Sequence, residues 1–301
     1  MTRSIVVTGA AGFVGGRLAR SLLEEGHSVK VIDRNAPKPG SPIAGIWRRA
    51  DLCLPEQYED VLDEASVVYH LGAVTGKARP AEYRRSNVEA TGALLRACEA
   101  KNIEQFIFLS SIAVGFENLR FYPYAVSKAE AEKLVEASPL NTTIVRPTMI
   151  LGDGSPIQAS LRKLAAMRIV PLMGDGSAKV QPVHIDDVVR FLSGIGGLKQ
   201  VYNRTIDLGG PEIMSIQELI VRMRPKDRAR GVRFVHLPAG AAQRLLAMVE
   251  PILLPLLPLT AGQIATFIND GVAAPNELAG LASLGPQRAM SNAHGKPDWS
   301  Q

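Results

Sequence analysis

The chain is poor in cysteine: Cys53 and Cys98 are the only two among 301 residues. Two thiols exclude a disulfide framework, and also a zinc cage built from several thiolates. No secretory leader is expected, because Met1-Thr2-Arg3 runs straight into a short apolar stretch that glycine interrupts. No charge of one sign dominates either. Lys+Arg 34 against Asp+Glu 29 leaves +5, a thin excess that suits solubility or phosphate-bearing small molecules better than nucleic acid. Internal repeats are absent. The long uncharged run, residues 251–269, carries Pro251, Pro255 and Pro258, which rule out a membrane-spanning helix. We read it as core or as the wall of an apolar pocket, with docking on a membrane surface the lesser reading. What remains, 46% hydrophobic and 21% charged residues, is the composition of a globular protein rather than of a disordered or fibrous one.

The first half alternates two periodicities. Apolar runs rich in Val, Ile and Phe predict strands at 4–8, 29–33, 67–71, 105–109 and 142–145, and helical patterns fill 14–25, 81–100 and 125–137. Strands that are apolar on both faces, each followed by a helix, predict an α/β fold: a doubly wound parallel sheet of the Rossmann kind. The linker 35–45 reads as a surface loop. After Pro147 the pattern loosens, with a helix at 157–167, a strand near 202–208 and a helix at 215–223. The last third reads as mostly helical or irregular, and the tail beyond Gly285 has few apolar residues. The expected organisation is a nucleotide-binding domain from 1–147 plus 183–208. A smaller, mostly helical substrate domain from 148–182 plus 209–301 completes it.

The strongest motif is Thr8-Gly9-Ala10-Ala11-Gly12-Phe13-Val14-Gly15, between the first strand and the first helix. Gly9 permits the tight turn, Gly12 lets a pyrophosphate approach the backbone, and Gly15 lets the helix pack close. The helix N-terminus then offers free N–H groups to phosphate. Asp33 closes the second strand 18 residues after Gly15, placed to accept the hydroxyls of an adenosine ribose and to repel a 2′-phosphate. That favours NAD, while Arg34 beside it keeps NADP open. A second constellation is Tyr124 and Lys128, one helical turn apart, with Ser110-Ser111 ending the strand at 105–109. A cation near the phenol lowers its pKa toward the range of a usable acid or base, and a serine hydroxyl there can orient a carbonyl or alcohol.

With these motifs the sequence resembles the extended short-chain dehydrogenase/reductase superfamily, of the NAD-dependent epimerase/dehydratase type. The resemblance extends to about Leu219 and includes Asp51-Leu52, His70–Ala73, Asn87, Arg146-Pro147 and Val183–Val188. It implies that Ser111, Tyr124 and Lys128 form the catalytic triad. It also implies that Gly9, Ala11, Gly12, Phe13, Val14, Gly15, Asp33 and Arg34 hold the dinucleotide. Asp51 and Leu52 would contact the adenine, and Leu71, Gly72 and Ala73 would line the cleft. Lys128 would hold the nicotinamide ribose and Pro147 would pack near the nicotinamide. Asn87 and His184 we read as structural. A weaker resemblance of the C-terminal third, through Leu208–Glu212, Gln181–Val183 and Leu259–Val272, points to the branch related to the nucleotide-binding accessory subunit of respiratory complex I.

Two departures bear on function. Ile112-Ala113 follow Ser111 where sugar dehydratases of this superfamily carry an acidic pair, so dehydration is not expected. Only 13 residues separate Ser111 from Tyr124, which shortens the loop toward the substrate. The expected activity is hydride transfer at a secondary alcohol or ketone, first of a sugar or nucleotide-sugar, as epimerase or dehydrogenase. The alternatives are an apolar hydroxy or keto substrate of steroid or flavonoid type, and a protein that holds a nucleotide for structural or assembly reasons. Cytoplasmic placement, a small-molecule substrate and no nucleic acid are expected, and a homodimer is left open. The basic run Arg222, Arg224, Lys226, Arg228, Arg230 and Arg233 reads as a solvated loop or an anion site. His27 and His236 have no ligand-like partners, so no metal site is expected, and neither cysteine reads as a nucleophile.

Overall fold

The computed structural model describes residues 2–37, 40–225, 232–257 and 259–275. In chain order, β1 (Ser4–Thr8) leads through α1 (Gly15–Glu24) to β2 (Ser28–Asp33), β3 (Trp47–Arg49) and β4 (Val67–His70). There follow α2 (Pro80–Tyr83), α3 (Ala90–Ala100), β5 (Gln105–Leu109), α4 (Pro123–Glu136) and β6 (Asn141–Pro147). Next come β7 (Ile150–Leu151), α5 (Pro156–Ala165), β8 (Ile169–Met173), β9 (Lys179–Val180), β10 (Val183–His184) and α6 (Ile185–Ile195). The chain continues with β11 (Arg204–Leu208), β12 (Met214–Ser215), α7 (Ile216–Arg222), β13 (Arg233–Leu237), α8 (Ala239–Leu253) and α9 (Ala261–Ile268).

Seven strands form one parallel sheet in the order β11-β6-β5-β4-β1-β2-β3. Its strands are apolar on both sides because both sides are covered. Val7, Ile107 and Val145 face Leu18 and Leu22 of α1 and Phe191 of α6. Val6, Phe106 and Phe108 face Leu94 of α3 and Ala131 and Val135 of α4. A third cluster, with Leu161, Val170, Leu172, Leu219 and Ile220, joins α5, β8 and α7 outside the sheet. The strand order reverses between β1 and β4, so the loops after these two strands diverge and open a crevice at the carboxyl edge.

The five strands expected in the first half are present, with ends shifted by at most two residues, and so are its helices. The stretch expected as one helix over 81–100 is α2 and α3 joined by a π-helical turn at Arg84–Glu89. The edge strand β3 has no counterpart among the expected strands, since Arg48 and Arg49 are exposed, Trp47 is half-buried and the three show no apolar alternation. The last third, mostly helical as expected, also carries β13, which pairs in parallel with β8, Arg233 opposite Ile169. Two expectations need correction. The apolar run 251–269 is only partly core: Ala261, Ile264 and Ala265 of α9 are buried, whereas Ile252 is 82% and Leu256 80% exposed. The start of the basic run is not solvated. Arg222 pairs with Glu212 at 2.6 Å and Glu218 at 2.8 Å, and buried Arg224 donates to the carbonyls of Ala165 and Met167. Lys226, Arg228 and Arg230, like the tail beyond Gly285, lie outside the described residues.

Candidate active site

The glycine-rich turn is packed so tightly that side chains are excluded from it. Gly9 sits at φ +74°, and a Cβ there would meet the Gly72 backbone at 2.5 Å. A Cβ on Gly15 would stand 2.4 Å from the Gly9 carbonyl oxygen, so the third glycine lets α1 start directly against the turn. Gly12 leaves a Cβ 3.1 Å from the same oxygen. The turn borders an open cleft of about 340 Å³, also lined by Asp33, Arg34, Asp51, Leu52 and Leu71–Ala73. Asp33 Oδ2 accepts the Ala11 N–H and Oδ1 the Asn35 N–H, each at 2.9 Å. A carboxylate oxygen has two lone pairs, so one acceptor site per oxygen stays free for a ribose hydroxyl. The turn's backbone N–H groups and the Asp33 carboxylate suit the adenosine-diphosphate end of a dinucleotide.

Phe13, Val14, Gly15, Tyr124, Lys128 and Pro147 do not line that cleft. Phe13 lies under the Arg17 guanidinium, 4.9 Å from ring centroid to Cζ, and Pro147 ends β6 opposite Leu208. Arg85 and Ser86 do line it and escaped sequence reasoning, because only the π-helical turn aims them there. Arg85 holds the Asp51 carboxylate at 2.6 Å, while Asp51 Oδ1 accepts the Cys53 N–H at 3.0 Å. Burial, ahead of the Asp51 charge, pushes the Cys53 thiol up, so it stays protonated. Among the described residues no His, Cys, Asp and Glu side chains cluster as a metal site would require.

The second group assembles at the carboxyl end of β5. Tyr124 lies in the first turn of α4, and its ring lies 5.8 Å from that of Tyr122 and 6.1 Å from that of Tyr83. Burial pushes the phenol up to about 12, and the neighbouring Ser111 hydroxyl opposes that shift. Lys128 is 2% exposed, and burial brings its ammonium down to about 7, against the raising effect of Glu132. Its Nζ donates to the Leu109 carbonyl at 2.7 Å and stands 3.9 Å over the Phe108 ring. The Lys128 ammonium is thus engaged by Leu109, while Ser111 is the neighbour that lowers the Tyr124 phenol. Ser110, on the same strand end, buries a hydroxyl that has no partner among the described residues.

A buried chain of hydrogen bonds links the two groups. The Gly72 N–H donates to Thr8 Oγ1 (3.2 Å), which lies 2.7 Å from His70 Nδ1, and His70 Nε2 lies 2.9 Å from Thr91 Oγ1. Thr91 gives its own proton to the Asn87 carbonyl at 2.7 Å, so His70 must donate from Nε2 and accept at Nδ1. Asn87 accepts the Val74 N–H at 2.8 Å and donates to Ser127 Oγ at 2.9 Å, and Ser127 donates to the Tyr124 carbonyl at 2.7 Å. Asn87 thus serves the framework, as expected. His184 does too, capping α6 by accepting the Asp186 N–H at 3.2 Å.

Residues 5–196 match the NAD dependent epimerase/dehydratase family, nearly two thirds of the chain. The chain belongs to that family. The family is by its description NAD dependent, and the chain has the fold of the extended short-chain dehydrogenase/reductase superfamily. The chain is 31% identical over 205 residues to a 2-alkyl-3-oxoalkanoate reductase of Stenotrophomonas maltophilia, covering 61% of this chain and 62% of that one. It is 30% identical over 197 residues to a ceramide reductase of Caulobacter vibrioides, covering 62% and 59%. The matches thus span about three fifths of those relatives' lengths. Among solved structures, MoeE5 in complex with UDP-glucose and NAD superimposes with a TM-score of 0.65 at 28% identity, over 78% of this chain and 85% of that one.

Proposed function

We propose that the protein oxidises or reduces a secondary alcohol or ketone on an apolar substrate. Residues 1–147 plus 183–208 hold the cofactor, and 148–182 plus 209–301 shape the substrate side. The observation that carries the reading is the Tyr124 phenol buried beside Ser111 at the carboxyl end of β5, enclosed by the rings of Tyr83 and Tyr122. Gly9, Ala11, Gly12, Asp33, Leu71, Gly72 and Ala73 would hold NAD, with Arg34, Asp51 and Leu52 at the adenosine end. Bound there, the cofactor supplies the two-electron acceptor or donor. The chain supplies the proton: Tyr124 donates it to the carbonyl oxygen in reduction and takes it from the hydroxyl in oxidation. Ser111, beside Tyr124, orients that oxygen. Lys128 serves the ribose and the phenol only after its ammonium leaves the Leu109 carbonyl.

An apolar substrate is supported by the aromatic surroundings of Tyr124 and by the short Ser111–Tyr124 loop. Arg222 and Arg224 are engaged in ion pairs and backbone bonds, which removes two candidates for holding a diphosphate. The names of the two reductases point the same way. The likeness to MoeE5 supports the second reading, an epimerase or dehydrogenase of a nucleotide-sugar. The test is NADH oxidation with 2-alkyl-3-oxo acids beside UDP-glucose epimerisation. We expect ketone turnover, reduced about 10²- to 10⁴-fold in Tyr124→Phe. Turnover of UDP-glucose alone establishes the second reading. No turnover on either, with NAD retained by wild type and variant alike, leaves a nucleotide-holding protein.

A further inference from the structure

Helix α8 carries its polarity inside out. Gln243, 5% exposed, donates from Nε2 to the Ala261 carbonyl at 3.1 Å, and Glu250 accepts the Ala261 N–H, so these polar side chains face the protein. On the outer side Leu245, Met248 and Ile252 recur at steps of three and four residues and are 63%, 77% and 82% exposed. Leu256, 80% exposed, continues the line beyond the helix. A surface helix ordinarily turns its apolar stripe to the core, and an exposed apolar stripe of this extent marks an interaction site. The charges between residues 233 and 269 are Arg233, Arg244 and Glu250. The acid is held by Ala261, and the two exposed charges are both positive.

The helix against which α8 packs, α9, lies beside the reaction centre. A Cβ on Gly262 of α9 would stand 2.6 Å from the Tyr122 ring, and Lys77 Nζ donates to the Leu257 carbonyl between the two helices. Thus the α8–α9 hairpin rests on the ring beside Tyr124 and is tied to the loop that follows the cofactor cleft. No helix among the described residues is long and apolar enough to cross a membrane.

We propose that the outer stripe of α8 docks on an anionic lipid surface. In that pose Leu245, Met248, Ile252 and Leu256 enter the acyl boundary while Arg233 and Arg244 meet the headgroups. A second copy is the poorer occupant. A two-fold contact through one stripe sets like surfaces against each other, and this one would bring arginines together with no exposed acid on the segment to pair them. The proposal rests on the apolar-substrate reading for its purpose: a hairpin in the interface opens the site toward molecules dissolved in lipid. Its physical content stands on exposure and charge.

The test is flotation of the purified full chain with vesicles of phosphatidylcholine alone and with one third phosphatidylglycerol. We expect flotation with the anionic vesicles, and at least about a tenfold loss with Met248→Glu/Ile252→Glu, whose positions are exposed enough to leave the fold intact by circular dichroism. Added salt should weaken the contact, since headgroup attraction is screened within about 10 Å at 0.1 M. Turnover of a short, water-soluble ketone should be unchanged in the double variant. Absence of flotation, equal flotation of the variant, or equal binding to neutral vesicles overturns the proposal. So does a wild-type dimer in light scattering that the variant converts to monomer. Flotation without any ketone turnover overturns the substrate reading and leaves the docking surface standing.

Discussion

At the scale of the residue, Tyr124 and Lys128 are displaced from their ordinary titration ranges in opposite directions by the same cause. Burial disfavours whichever form carries charge, so the phenol rises to about 12 and the ammonium falls to about 7. Each direction of the proposed reaction needs a different form of Tyr124. Reduction needs the neutral phenol, which is present throughout the neutral range. Oxidation needs phenolate, whose share below the pKa grows about tenfold per pH unit. Measured as kcat/KM from pH 6 to 10, oxidation is expected to climb steadily while reduction stays flat. An oxidation profile that levels off near pH 7 would show that bound cofactor or a relocated Lys128 has lowered the phenol by several units, against the effect of its burial.

At the scale of the element, the turn from β1 into α1 rests on a contact that involves backbone atoms alone. Gly15→Ala places a methyl group 2.4 Å from the Gly9 carbonyl oxygen, where no side chain can swing aside. Overpacking of this kind costs about 1–3 kcal/mol, and the turn must shift to relieve it. Thermal unfolding with and without NAD should therefore show a lower Tm and a smaller rise on adding cofactor. Gly45→Ala, whose Cβ meets open space, should show neither change. The turn was legible in the sequence because glycine spacing, the strand before it and the helix after it all state one requirement. The strands β1, β2, β4, β5 and β6 were legible because burial on both faces makes them unbroken apolar runs. The edge strand β3 has one solvated side and lacks that signature, and β8 and β13 pair across some sixty residues of intervening chain. The π-helical turn was invisible for another reason. It is a slip of the backbone hydrogen-bond register, which composition does not encode, yet it aims Arg85 and Ser86 at the cleft. In the basic run, Arg222 and Arg224 find acids and carbonyls that only tertiary structure brings near.

At the scale of the whole molecule, the buried titratable groups of the site favour stability on the alkaline side. His70 is buried between Thr8 and Thr91, and desolvation, then the Lys128 charge, brings it down to about 3. Its hydrogen-bond directions require the neutral ring, since a proton on Nδ1 would face the Thr8 hydroxyl, which already receives the Gly72 N–H and would lose its acceptor. Between pH 3 and 6.5 the unfolded chain then binds the extra proton that the folded one refuses, so stability rises with pH across that window. Lys128 repeats the argument higher up: folded at about 7 against an ordinary 10.5, it adds stability from about pH 7 upward. Tyr124 acts in the opposite sense above about pH 10, where the unfolded chain sheds a proton that the folded one retains. Urea unfolding from pH 4 to 10 is thus expected to give a free energy that increases to about pH 9–10, beyond the usual optimum between about 5 and 8. His70→Gln should flatten the limb below pH 6.5 and leave the upper one, whereas Lys128→Met should flatten the limb above pH 7 and also shorten the lower one, because it removes the charge that helps to hold His70 down. A maximum near pH 6 in the wild type, or a Lys128→Met variant with an unchanged alkaline limb, would mean that Lys128 remains charged in the folded protein and that its ammonium is better solvated than the bonds to Leu109 and Phe108 allow.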